Sequence, residues 1–395
     1  LTRPHLVFLG HGAERTGPPI LLGHLIAGLA ASRRFDLSVL TARSGPLLAA
    51  YAAAPARAVA VSAEREPFAR SAAALRQMGA SGAVGPLQDR RRRHVARRLP
   101  PADLVYVNAA TPPTADLLRA LAPPPEVPVV LHVHELDIGL RLNLSPDRRR
   151  LLFDRADHVI AASGAVERLL IEHHGVAPDR LSTCPEFVDV GALQPLDRAA
   201  ARVAAGIPDD ALVVGSVGLL DWRKDPDHLL RAIHRLRALR PELDPWVLWV
   251  GGDPGSDDGR RAADEARRLG LADRFRHLGH RDRPDRLLAA LDVYALPSRE
   301  DALPLAALEA GGAGLPIVCF EAGGIADLCG LGAGTAVPYP DTTAFAEAIG
   351  RLLADPVERS RVGATARGLV GDQHDVGPGV ERIRTVIDAA LASRR

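Results

Sequence analysis

The sequence predicts an α/β protein made of two doubly wound domains, and three observations lead there. A short apolar run enters a glycine-bearing turn and then a helical pattern twice, first at Leu6-Val-Phe-Leu9 with Gly10, and again at Leu212-Val-Val-Gly-Ser-Val-Gly218. Further short apolar runs follow each of these, as buried parallel strands between crossover helices require. A chain of 395 residues can also hold two cores of ordinary size.

Composition narrows the function classes. Hydrophobic content of 47% with 25% charged residues belongs to a soluble globular chain. Lys+Arg 49 against Asp+Glu 48 leaves a formal charge of +1, which gives no electrostatic case for a nucleic-acid partner. Cys184, Cys319 and Cys329 are too few and too scattered for a disulfide framework or a metal site, so a reducing cytoplasm is the expected compartment. No apolar run approaches the length of a membrane span.

In chain order, Leu6–Leu9 is the first strand, Gly10–Gly17 the glycine-bearing turn, and Ile20–Ala31 a helix behind Pro18-Pro19. Open α/β sheets bind ligands at such turns, although this spacing is not a dinucleotide fingerprint. Leu37–Leu40 is a second strand and Val59–Val61 belongs to a third. Residues 67–99 are rich in Ala and Arg and carry Arg90-Arg91-Arg92-Arg93. That run is either a solvated helix face or a contact for an anionic membrane at the inner face or a phosphorylated acceptor. No aromatics interleave with it, which argues against nucleic acid. Leu104–Val107 and Val127–Val133 are two more strands. The second carries His132 and His134 on one face, without a third ligand at a supporting spacing for a metal. Residues 190–211, where Ala, Asp and Pro accumulate, read as linker. Past Gly218, Arg223 and Lys224 precede an amphipathic helix over His228–Leu239, apolar at Leu229, Leu230, Ile233 and Leu236. Asp225-Pro-Asp227 imitates an Asp-x-Asp metal motif but opens a helix instead of ending a strand.

The stretch from Val293 to Asp327 organises the rest. Val293–Leu296 is a buried strand ended by Pro297-Ser298, and Pro304 suits the first turn of a helix. Asp301 lies before that helix, where it is expected to cap the loop, and Glu309 lies within it. A helix N-terminus between two carboxylates suits a phosphate carrying hydroxylated groups. Pro316–Phe320 is the next strand, and Gly323-Gly324 its turn.

This pattern resembles the acid-x7-acid signature of the retaining, GT-B fold glycosyltransferases of family four, Ser-x-x-Glu-Gly-Phe-Pro-Leu-x-x-Leu-Glu-Ala. Asp301 takes the place of the first Glu, by its distance to Pro304 and Glu309, and Glu300 is one residue out of register. The later Gly323-Gly324-Ile-Ala-Asp327 and Val337-Pro338 with Asp341 also match. Two departures stand out: Asp225 where Gly is usual, expected to add negative charge near the site, and Leu219 where many members have Arg. The resemblance implies two Rossmann-like domains facing across a cleft. Residues 1–190 would bind the acceptor and 191–372 the nucleotide sugar, with a helix in 373–395 crossing back to the first domain. It implies transfer of a hexosyl group from a UDP- or GDP-sugar to an acceptor hydroxyl, with no cofactor and no metal. It further places Gly12, Thr16 and Gly17 over the donor diphosphate, and Arg223 and Lys224 on it. The backbone of Leu303, Pro304 and Leu305 would serve the phosphate, Asp301 the sugar hydroxyls, Glu309 the ribose, and His134 the sugar or acceptor. A nucleotide-sugar epimerase and a non-catalytic regulatory subunit of the same fold are the alternatives. Acceptor, donor base and oligomeric state stay open.

Overall fold

The computed structural model describes residues 3–54, 56–62, 84–193 and 197–393. The part of the Ala- and Arg-rich stretch before Val84 lies outside the described residues. Contacts divide the chain into two compact units, Leu1–Pro185 with Val376–Arg395, and Glu186–Asp375.

In the first unit, the strands are β1 (His5–Gly10), β2 (Asp36–Arg43), β3 (Ala56–Ser62), β4 (Leu104–Asn108), β5 (Val129–Val133), β6 (His158–Ala161) and β7 (Leu181–Thr183). They pair in parallel, in the order β3-β2-β1-β4-β5-β6-β7. The central strands are covered on both faces, and Leu6–Leu9, Leu104–Val107 and Val129–Leu131 are fully buried. That is why they read as continuous apolar runs and not as alternating ones. Strand order reverses between β1 and β4, so the loops leaving those strands open at the switch point where such sheets take ligands. The last helix, Val376–Ala392, packs on the helix Gly17–Ala31. The approach is close: a Cβ on Gly28 would lie 2.8 Å from Val380 Cγ1. Asp388 then pairs with Arg34 at 3.1 Å.

The second unit holds β8 (Val213–Val217), β9 (Trp246–Val250), β10 (Phe275–His277), β11 (Val293–Leu296), β12 (Ile317–Phe320) and β13 (Gly334–Val337). These are again parallel, in the order β10-β9-β8-β11-β12-β13, with the switch between β8 and β11. Helix Pro226–Leu239 buries Leu229, Leu230, Ile233 and Leu236 against Val214, Trp249 and Phe345, which is the face its periodicity foretold.

One expectation fails here. Within 190–211, residues Arg198–Ala205 form a helix in place of linker. Asp197 caps it by accepting from Ala200 N at 2.9 Å. Arg202 is buried and donates to Ala211 O at 2.7 Å and to Asp292 Oδ2 at 3.3 Å. Asp292 in turn holds Arg198 at 2.8 Å. A composition rich in Ala and Asp resembles a tether, but the buried Arg–Asp pair anchors it.

Candidate active site

In the second unit the loop after β8 delivers two cations to one acid. Asp221 Oδ1 accepts from Arg223 N at 3.1 Å and Lys224 N at 2.9 Å, which fixes the turn. Lys224 Nζ then lies 2.5 Å from Asp301 Oδ2, and Arg223 Nη1 lies 3.4 Å from Oδ1. Ser298 Oγ donates to the same carboxylate at 3.3 Å. Burial raises the Asp301 pKa, but Lys224, Arg223 and these hydrogen bonds outweigh it and hold the carboxyl below its usual range. The Gly323-Gly324 turn sets the register: Asp301 N donates to Ala322 O at 3.0 Å, and Gly324 N to Ala302 O at 2.8 Å. Glu300, also buried, presents its backbone carbonyl to Arg223 at 3.3 Å. Asp301 therefore does not cap the following helix, as the sequence suggested. Its charge is drawn back to Lys224 instead.

That helix spans Leu305–Gly312, so Pro304 stands just before it, with no side-chain cap. Its first internal bonds run from Ala307 N and Leu308 N to Pro304 O, beyond the Leu305 and Ala306 amides. Leu303, ahead of it, and Leu305, its first residue, are buried. Burial, with the neighbouring Asp285 carboxylate, lifts the Glu309 pKa to about 7 against the pull of Arg283. Arg283 and Asp285 pair at 2.6 Å. Sequence reasoning missed that pair, which has no signal beyond its place in the loop after β10. The loops after β8, β9 and β10 stack backbone on backbone. Gly251 takes φ 114°, and a Cβ there would sit 2.3 Å from Gly218 O.

Asp225 corrects a second expectation. It precedes helix Pro226–Leu239 at φ 47°, a conformation that favours Gly and tolerates Asp. Its carboxylate meets Arg299 Nε at 2.9 Å and His228 Nδ1 at 3.6 Å, so the extra negative charge is matched locally. Asp227 pairs with Arg261. Among the described residues, no group of His, Cys, Asp and Glu is arranged to hold a metal ion.

In the first unit, Gly12 is buried in the turn after β1, and Thr16 immediately precedes helix Gly17–Ala31 without capping it by its side chain. Pro18 and Pro19 carry no N–H, and Ile20 N already donates to Thr16 O at 3.1 Å. The first turn thus keeps the Gly17 amide as its donor. His134, just past β5, places Nε2 3.1 Å from Asn108 Oδ1, and its ring lies 3.9 Å from that of His132. His132 is fully buried and bonds Tyr106 Oη at 2.7 Å. Burial, reinforced by His134, holds its pKa well below the ordinary value, so it is a neutral core histidine. His11 joins this group unforeseen. Burial pushes its pKa down to about 4; Glu14 opposes that, while Arg43 and His134 add to it. In the helix Val84–Ala96, Arg92 is tied to Asp89 at 2.6 Å and to Asp116 at 3.3 Å, while Arg90 and Arg93 are exposed.

Two doubly wound parallel sheets, the second carrying a cation pair on an acid beside an uncapped helix, define the GT-B class. Solved structures share the fold. That of Anabaena Alr3699/HepE in complex with UDP-glucose superposes with a TM-score of 0.75 at 20% identity, over 98% of this chain and 99% of that one. Sucrose-phosphate synthase from Thermosynechococcus elongatus gives 0.74 at 20% identity, over 99% and 100%. Within that class the chain belongs to the family-four, group 1 glycosyltransferases. Residues 17–192 match the family model Glycosyltransferase Family 4, and residues 197–369 match Glycosyl transferases group 1. Among curated relatives, a D-inositol 3-phosphate glycosyltransferase of Stackebrandtia nassauensis is 36% identical over 218 residues, 53% of this chain and 49% of the relative. One from Kribbella flavida is 33% identical over 220 residues, 54% and 52%. The chain spans about half the length of the curated relatives it matches.

Proposed function

We propose that this protein transfers a hexosyl group from a nucleoside-diphosphate sugar to an acceptor hydroxyl, with retention at the anomeric carbon. The observation that carries the reading is the Arg223, Lys224 and Asp301 cluster beside the uncapped start of helix Leu305–Gly312. As the bond from the anomeric carbon to the β-phosphate oxygen breaks, negative charge grows on the leaving diphosphate. Two fixed cations and helix-end amides stabilise it there without a metal. The acceptor oxygen forms the new bond, and its proton passes to the leaving phosphate. Asp301, ionised, takes hydroxyls of the sugar. Glu309 takes the ribose, and His134 meets the sugar or the acceptor. Gly12, Thr16 and Gly17 are further candidates for binding the diphosphate. The UDP-glucose complex of the Anabaena neighbour and the names of the curated relatives support a nucleotide-sugar donor and a hydroxylated acceptor. UDP- and GDP-hexoses are to be incubated with candidate polyol and sugar acceptors, following nucleoside diphosphate release and the anomeric configuration of the product. Release coupled to an α-linked product from an α-linked donor supports the reading; an inverted product or a free epimerised sugar contradicts it.

The exposed arginines of helix Val84–Ala96 are proposed to rest on anionic membrane. The check is cosedimentation with phosphatidylglycerol vesicles. Arg90→Gln with Arg93→Gln should weaken it roughly tenfold or more, at about 1 kcal/mol per arginine. Equal sedimentation of the variant would leave them a solvated face.

A further inference from the structure

We infer that Asn108 is a positioning residue for His134, fixing the tautomer in which Nε2 carries the proton and Nδ1 is the acceptor. Its geometry is independent of the glycosyl-transfer reading; its consequence for turnover rests on that reading.

Asn108 ends β4, buried to 1% exposure, in register with Gly10 of β1 and His132 of β5. Its Nδ2 donates to Pro18 O at 2.9 Å. Turning the amide over would set two acceptor oxygens against each other at that distance, so Oδ1 is the atom 3.1 Å from His134 Nε2. A carbonyl oxygen only accepts, and the hydrogen of this bond therefore belongs to Nε2. A neutral His134 then keeps its lone pair on Nδ1, and a hydroxyl that meets Nδ1 does so as the donor.

The surrounding backbone is locked, and at one point strained. Ala109, fully buried, adopts φ 84°, a region costly for any residue with a Cβ. It is held by Ala109 N donating to His132 O at 2.9 Å and by Thr114 Oγ1 donating to Ala109 O at 2.7 Å. Glu135 Oε2 accepts from Ala110 N at 2.9 Å and from His134 N at 3.0 Å, joining the loops after β4 and β5. Through Pro18, the same amide ties His134 to the start of helix Gly17–Ala31. The titratable groups around the ring include His132, tilted 42° to it, with Glu135 on its backbone and His11 acting across the turn.

The test is long-range proton–nitrogen NMR on protein carrying nitrogen-15 histidine, with His134→Gln identifying the signal, at a pH where the ring is neutral. The wild type should show Nε2 protonated and Nδ1 unprotonated. Asn108→Leu, which removes the acceptor, should lose that pattern. In turnover, Asn108→Leu should lower kcat by about tenfold with the donor KM within about twofold. A wild type protonated at Nδ1 overturns the proposal, as does an Asn108→Leu spectrum unchanged from wild type. If Asn108→Leu does not fold, the wild-type spectrum still decides. Protonated Nε2 in a chain that transfers no sugar upholds the positioning and overturns only the function.

Discussion

Asp301 is held by Lys224 at 2.5 Å and Ser298 at 3.3 Å, whereas Glu300 offers Arg223 a backbone carbonyl, which any residue at that position would supply. Adjacent carboxylates are therefore unequal. Asp301→Asn should lower kcat/KM by roughly 10- to 150-fold, since a charge-assisted bond is worth about 1.5–3 kcal/mol, while Glu300→Gln should stay within about threefold. Steady-state kinetics with one donor decides, and the reverse ranking would overturn the register. Glu309 gives a pH test. Its folded pKa of about 7 lies above the ordinary carboxyl value of 4.5, so the folded state holds the proton more tightly than the unfolded chain. Stability from this group is therefore full below the lower value and falls as pH rises toward 7. Glu309→Gln removes that dependence. Its stability relative to wild type should improve by roughly 3 kcal/mol between pH 4.5 and pH 7.5, and denaturant melts at both pH values that show no such gain would contradict the buried carboxyl.

At the scale of elements, Asp225 shows what a helix start needs. Its φ of 47° asks for Gly, and the resemblance flagged only an odd residue there, not the reason. Asp225→Ala should be less stable than Asp225→Gly by about 1 kcal/mol, because Ala bears the left-handed strain without the local bonds of Asp. Equal chemical-denaturation midpoints would show that the strain is not there. Strands were legible because burial on both faces leaves continuous apolar runs such as Leu104–Val107. The phosphate-type helix was legible because Pro304 marks its start within a residue. Helix Arg198–Ala205 was not, since its anchor, Asp292, lies about ninety residues along the chain. Asn108 and Arg283 escaped for a like reason. Their partners, His134, Pro18 and Asp285, become neighbours of the site only once the sheet or loop is formed. The one available signal for Asn108 was a polar residue closing an apolar strand at a ligand-binding edge.

For the molecule as a whole, the two sheets repeat one plan, but the legible chemistry is concentrated in the second. There, Arg223 and Lys224 converge on Asp301. The first unit contributes a loop with two prolines at its helix start and a histidine held by an amide, devices that leave little trace in composition. The central claim, a metal-independent diphosphate site built on Lys224, is tested most directly by calorimetric titration of UDP and GDP in excess chelator. The wild type should bind one of them, and Lys224→Ala should bind it roughly 10- to 150-fold more weakly, the loss of a bond worth about 1.5–3 kcal/mol. Equal affinity in Lys224→Ala, or binding that appears only when a divalent cation is restored, would contradict it.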